Sequence, residues 1–204
     1  MRSLFINTSS FFMSIAILEN GKVIYKKEEE LLTDMASRIV PEIELAFDNV
    51  TFDIKDINNI FVVNGPGSFT GVRVGVTVAK MIGWALKKDI IPLSSLELLA
   101  TTKIDYTNHI GAIDARRGYV FAGVYDSNLN KIMEDKYMLL NELDSYLADG
   151  QIISYDKING SIEPSIDIEM IVAKHMNDTP INAHALKPNY LKLTEAEEKK
   201  KENK

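Results

Sequence analysis

The segment Asn64-Gly65-Pro66-Gly67-Ser68-Phe69-Thr70-Gly71-Val72-Arg73-Val74-Gly75 gathers residue types that can handle an anion. Glycine reaches backbone dihedrals that bring main-chain N–H groups close to a ligand. Ser68 or Thr70 is placed to cap a following helix. The free N–H groups and positive dipole end of such a helix suit a phosphate or carboxylate. Gly65, Gly67, Ser68, Thr70 and Arg73 are therefore the candidate nucleotide or anion loop. The competing reading is a tight strand-to-helix turn, and local chemistry leans that way. A phosphate loop of the P-loop kind ends in Gly-Lys-Ser/Thr, and no lysine stands there. The glycine spacing approaches a dinucleotide fingerprint, but the acidic residue that should follow about 20 positions later is not placed at a strand end.

A second polar cluster, Asp114, Arg116 and Arg117, sits at a strand end before Gly118. It reads either as a salt-bridged turn or as a contact for a nucleotide or partner, with the turn the simpler account. His109, His175 and His184 are isolated from one another, and there is no HExxH helix, so no metal site is expected. No GxSxG elbow is present. The absence of cysteine removes thiolate chemistry, disulfides and Cys-type zinc sites.

The chain has 204 residues, 46% of them hydrophobic and 25% charged, an ordinary globular composition. Its net charge of −6 argues against gripping nucleic acid unaided, since phosphate contacts need a basic surface. The densest lysine run, Lys199 to Lys201, alternates with glutamates in a charged tail. The apolar stretch after Arg2 is broken by Asn7, Thr8, Ser9 and Ser10, unlike a signal peptide, and no run is long enough to span a bilayer. A soluble, cytoplasmic protein with no membrane association is the expectation.

The elements that must position these residues follow from periodicity. Leu4–Ile6, Phe12–Leu18 and Val23–Tyr25 read as a meander, with Asn20-Gly21 as its hairpin turn. Ala36, Ile39, Val40, Ile43 and Phe47 recur at helical spacing within a helix over 31–49, where Pro41 should kink the helix or open a new first turn. Ile60–Val63 is a continuous apolar run, as in a buried parallel strand. A helix over 68–87 follows, apolar nearly all round, with Val72, Val76, Ala79 and Ile82 on one face. Such a helix is covered on both sides, by its own domain or by a partner. Ser94 with Glu97 has the form of a capping box. From residue 110 the strand-turn-strand-turn-strand-helix order repeats, with helices expected over 141–147 and 167–176. The chain divides into 1–102, 103–194 and a tail of 195–204.

The glycine segment, with Thr77-Val78-Ala79-Lys80 after it, resembles the signature of the TsaB (YeaZ) family. Leu93-Ser94-Ser95-Leu96-Glu97, Ile113-Asp114-Ala115-Arg116-Arg117-Gly118, Pro188-Asn189-Tyr190-Leu191-Lys192 and Ala196-Glu197-Glu198-Lys199 resemble further segments of that family in the same order. The resemblance implies an α/β protein of the actin-like ATPase (ASKHA) superfold, with two RNase H-like lobes, the second truncated. It implies a non-catalytic subunit of the tRNA N6-threonylcarbamoyladenosine (position 37) complex, paired with a TsaD-type transferase and completed by a TsaE-type ATPase. tRNA would be met only through the complex, ATP or ADP only in the assembled state, and a homodimer would form when the partner is absent. The two N-terminal helices would carry the interface through Met35, Ala36, Ile39, Val40, Ile43, Phe47, Val72, Val76, Ala79 and Ile82. A nucleotide-binding, ATPase-like enzyme of the same superfold is the alternative. The family often begins Ile-Asp-Thr-Ser, whereas here the run is Ile6-Asn7-Thr8-Ser9. An amide can be neither base nor carboxylate ligand. The family's His-Ser-Glu before Ile39-Val40-Pro41 is also missing.

Overall fold

A computed structural model describes residues 1–192. The charged tail 195–204, with the lysine run and the Ala196–Lys199 match, lies outside them. Strands β1 (Arg2–Asn7), β2 (Phe12–Glu19) and β3 (Lys22–Glu30) form the meander. Asn20 and Gly21 take positive φ (53° and 79°) in its first hairpin, as two-residue turns of this type require. Helix α1 (Met35–Asp48), β4 (Asn59–Gly65), α2 (Phe69–Leu86), β5 (Asp89–Ser94) and α3 (Ser95–Ala100) complete the first half. The sheet order is β3-β2-β1-β4-β5, with β4 and β5 parallel to β1.

The second half contains β6 (Asn108–Asp114), β7 (Tyr119–Tyr125), β8 (Lys131–Leu139), α4 (Asp144–Leu147), β9 (Gly150–Ile153), β10 (Ser161–Ile162) and α5 (Ile168–His175). Its sheet runs β10-β9-β6-β7-β8. Substituting β6 for β1, β7 for β2 and so on reproduces the order of the first sheet. Each lobe therefore has RNase H-like topology, and the pair is the actin-like superfold. The second copy is cut down: its fifth strand has 2 residues and α4 has 4.

Both faces of the first sheet are covered. Leu4, Ile6, Ile15, Ile17, Ile60 and Val62 pack under α1 and α2. Phe5, Ala16, Leu18, Phe61 and Val63 face the opposite way, against α3 and against Tyr125, Leu129 and Ile171 of the second half. The central strands β1, β2 and β4 are therefore buried almost without a break, whereas the edge strand β3 alternates exposed and half-buried positions. Burial of this kind contributes roughly 25 cal/mol per Å² of apolar surface removed from water. The second lobe has its own smaller core around Ile110, Ala122, Val124 and Ile152.

Several expectations change. The first helix starts at Met35 rather than residue 31, because β3 stays paired with β2 as far as Glu30 opposite Phe12. Asp34 precedes the helix with φ 66° and a side chain that does not cap it. Pro41 lies inside an unbroken helix, so it does not begin a new one. The helix expected over 141–147 is a 3₁₀ turn (Leu140–Leu143) followed by α4. Strands β9 and β10 follow no pattern long enough to read. After α5 the chain returns to the first lobe, where Ile181 bridges Ile90 and Leu186 joins the core beside α2.

Candidate functional site

The glycine segment shows how sequence builds this locus. Ser68 caps α2, its hydroxyl accepting from the Gly71 N–H at 3.2 Å. The N–H of Ser68 donates to the Ser9 carbonyl at 2.7 Å, tying the loop to the β1–β2 turn. Thr8 Oγ1 donates to the Gly71 carbonyl at 2.7 Å. A Cβ on Gly71 would stand 2.0 Å from the Thr8 carbonyl oxygen, and one on Gly75 would stand 2.4 Å from Thr8 Oγ1. These glycines let α2 rest directly on the end of β1. The N–H groups of Ser68, Gly71 and Val72 are spent on protein acceptors, and the segment forms a close-packed joint.

Arg73 does not line the cavity beside the loop but turns to the far segment of the chain. Its Nε donates to the Tyr190 hydroxyl at 2.7 Å, and its guanidinium lies 3.6 Å from the centre of the Phe69 ring. The Lys187–Tyr190 stretch runs beside the loop, with the Asn189 N–H donating to the Asn64 carbonyl at 2.7 Å and Asn64 Nδ2 to the Lys187 carbonyl at 3.0 Å. Two segments far apart in sequence thus form one structural unit.

A cavity of about 630 Å³ opens between the lobes. The β1–β2 turn, the loop before α2, α3 and the ends of β6 and β7 wall it. Asn7, Ser9, Ser68, Thr70 and Asp114 face it, together with Phe11, Tyr155 and Phe121. Asn7 is nearly fully buried, and its Oδ1 accepts from the Ser9 N–H (3.0 Å) and hydroxyl (2.8 Å). Tyr155 packs edge-on to Phe11, with ring centres 5.7 Å apart, and burial pushes its phenol up to about 12.

Asp114 reaches this cavity, but Arg116 and Arg117 are exposed on the adjoining turn and do not line it. The turn is not held by a salt bridge among the described residues. Asp114 Oδ1 accepts the Arg116 N–H at 2.9 Å instead, and Arg116, Arg117 and Gly118 all take positive φ.

A third locus went unread in the sequence. Ser94 caps α3, accepting from the N–H groups of Leu96 and Glu97. Glu97 does not complete the capping box but turns to His175, at 2.9 Å from Nε2. His175 Nδ1 lies 2.7 Å from Asp178. Burial opposes a charged ring here, yet hydrogen bonds from its N–H groups to the Glu97 and Asp178 carboxylates outweigh it and raise the His175 pKa. Asp135 on β8 bonds both Ser94 and Tyr125, and its burial raises its carboxyl pKa. These groups join α3, α5 and the second sheet. His109 is buried against the Ala100 carbonyl and His184 is exposed. Among the described residues no three His, Asp or Glu side chains converge as a metal site.

The residues expected at the helix interface divide sharply. Met35, Ile39, Ile43, Val72, Val76 and Ala79 are buried in the first lobe's own core, and Phe47 and Ile82 pack against it. Only Ala36 and Val40 are exposed. The apolar stripe read from the sequence is the stripe that faces the sheet. Across α2, Arg73, Thr77, Met81 and Trp84 recur at steps of four and three and point away from the core. Met81 is 52% exposed and Trp84 67%, and on α1 Val40 is 37% and Leu45 49% exposed. Trp84 could have been found in the sequence: it is the one tryptophan, set on the stripe of α2 that holds Arg73 and Thr77.

Comparison with known proteins bears on this geometry. A family model described as TsaD, tRNA N6-adenosine threonylcarbamoyltransferase, matches residues 30–199. The tRNA threonylcarbamoyladenosine biosynthesis protein TsaB of Bacillus subtilis is 30% identical over 98% of this chain and 97% of its own length. The chain belongs to the TsaB family. The TsaB of Escherichia coli is 32% identical over 65% of this chain and 58% of its own. The tRNA N6-adenosine threonylcarbamoyltransferase of Persephonella marina is 34% identical, but only over 36% of this chain and 24% of the transferase. In three dimensions, a structure titled YeaZ from Pseudomonas aeruginosa superposes with a TM-score of 0.77 at 20% identity, over 93% of this chain and all of that one. A further crystal structure, of a protein with similarity to peptidase YEAZ from the same organism, gives 0.80 at 21% identity. Both show that the TsaB-family chain has their fold.

Proposed function

We propose that this TsaB-family chain is an accessory, non-catalytic subunit in the synthesis of N6-threonylcarbamoyladenosine at position 37 of tRNA, and that it docks a TsaD-type transferase through α1 and α2. The observation that carries this is the exposure of Trp84 and Met81 on α2 and of Val40 and Leu45 on α1, two helices that pack together. Large apolar side chains grouped on two packed helices are what a partner helix face would cover. In the free protein the same face pairs two copies of the chain. A TsaE-type ATPase joins the transferase-bound form, and tRNA is met only through that assembly, in keeping with a net charge of −6. The chain needs no cofactor alone, and ATP or ADP enters with the complex. Among the described residues no helix is long and apolar enough to cross a membrane, and the site of action is the cytoplasm.

The alternative, an ATPase-like enzyme working in the inter-lobe cavity, has the cavity in its favour. It lacks a carboxylate at Asn7, whose amide can neither take a proton from water nor act as an anionic ligand. The test is a Trp84→Glu variant mixed with the TsaD-type subunit of the same organism. Loss of the heterodimer with an unchanged melting temperature supports the reading, and retained association refutes the assigned face.

A further inference from the structure

The chain has five arginines, and ion pairing divides them. Arg2 pairs with Glu19, and Arg38 pairs with Glu29 and Glu42. Arg73, Arg116 and Arg117 form no salt bridge among the described residues. All three are exposed. Asp114 accepts the Arg116 backbone N–H and leaves its guanidinium unpaired. Unneutralised cations grouped on a chain of net charge −6 form a local positive field suited to an anionic partner.

One run of contacts joins the three. At the start of α2, the Arg73 guanidinium lies over the Phe69 ring and donates to the Tyr190 hydroxyl. The Phe69 and Tyr190 rings stack with centres 5.8 Å apart. Two residues further on, Lys192 Nζ stands 4.7 Å from the centre of the Tyr137 ring. Tyr137 in turn stacks on Tyr119, 4.7 Å away and nearly parallel. The Tyr119 N–H donates to the Arg116 carbonyl at 3.1 Å, which puts the turn arginines at the head of the row. Cations and aromatic rings thus form one band from α2, along the segment 187–192, to the β6–β7 turn. Anchoring of that segment accounts for the buried side of Arg73 and Tyr137. It does not account for the unpaired Arg116 and Arg117, or for the open surface of Phe69 and Tyr190, which are 54% and 42% exposed.

From this geometry we infer that the band is a contact surface for single-stranded RNA. Arg73, Lys192 and the turn arginines meet phosphates, and unstacked bases lie on Phe69 and Tyr190. An acidic peptide would satisfy the cations and leave the rings unused. A duplex would meet the cations but keep its bases stacked within itself. The choice of RNA over DNA rests on the function proposed above. Arg73 shares the outward stripe of α2 with Trp84, so the band runs up to the proposed docking face and acts on RNA held jointly with the partner. With so few phosphate contacts the chain alone releases RNA as salt rises.

Fluorescence anisotropy with the full chain alone, at low ionic strength, tests this. The labelled probes are a single-stranded oligouridylate of about ten nucleotides, a duplex RNA of equal length and a glutamate peptide of equal length. The expected result is saturable binding of the single strand, tighter than either control by about fivefold or more and weakening as salt is added. Phe69→Leu keeps apolar bulk but removes the stacking face, and it should weaken the single strand about tenfold while leaving the peptide unchanged. Arg116→Gln combined with Arg117→Gln lies on an exposed turn, away from any core, and should reduce the salt slope by roughly 1. The inference is overturned if the single strand does not saturate, if the duplex or the peptide binds as tightly, or if either folded variant binds as the parent does. No TsaD-type subunit enters this assay. Failure here leaves the docking assignment standing, and retained association of Trp84→Glu leaves the band standing.

Discussion

At the scale of single residues, the conspicuous glycines act mainly as spacers. Gly71 and Gly75 stand where α2 meets Thr8, and a methyl group at either would overlap an oxygen. The Gly71 neighbour is a backbone carbonyl, which cannot turn aside, whereas the Gly75 neighbour is a side-chain hydroxyl. Gly71→Ala should therefore destabilise the protein on the order of 1–3 kcal/mol, and Gly75→Ala by less, as read from urea unfolding. Equal stabilities for both variants and the parent would contradict the close-packed joint. His175 supplies a pH-dependent term. Its pKa in the folded protein is raised, so its contribution is complete below the ordinary imidazole range and is lost as pH rises through the raised value. Stability should fall from about pH 6 toward pH 8, and His175→Gln should flatten that slope. Denaturant midpoints measured across that range would show it.

At the scale of elements, the meander, the buried fourth strand, the capped α2 and the Ser94 cap of α3 were all legible, because each rests on a local signal. Asn20-Gly21 permits positive φ, Ser68 and Ser94 offer hydroxyl acceptors, and Ile60–Val63 is apolar without a break. The start of α1 was misplaced because Leu31 continues the apolar pattern while tertiary pairing holds β3 extended to Glu30. The helix-face assignment failed for a different reason. Periodicity finds the apolar stripe of a helix, and for α1 and α2 that stripe is the core. The proposed docking face rests instead on large apolar residues off the stripe, Trp84 foremost. Long-range contacts such as Arg73 with Tyr190 and Glu97 with His175 leave no local signature. The segment after α5 belongs structurally to the first sheet, with Leu186 buried beside α2. Leu186→Ala should cost about 2–5 kcal/mol, a penalty seen in thermal unfolding, and a surface-like loss below about 0.5 kcal/mol would contradict the clamp.

At the scale of the whole molecule, two lobes of one topology share a core through Phe5, Phe61, Tyr125 and Ile171, which holds the cavity walls in a fixed relation. The second lobe keeps the sheet order but little of the helical cover. The direct test is light scattering after size exclusion of parent and Trp84→Glu, each alone and mixed with the TsaD-type subunit, with tRNA modification assayed on every fraction. The account predicts a heterodimer with the parent only, and modification only in that reconstituted complex. Modification by the purified chain alone, or an undiminished heterodimer with Trp84→Glu, would contradict it.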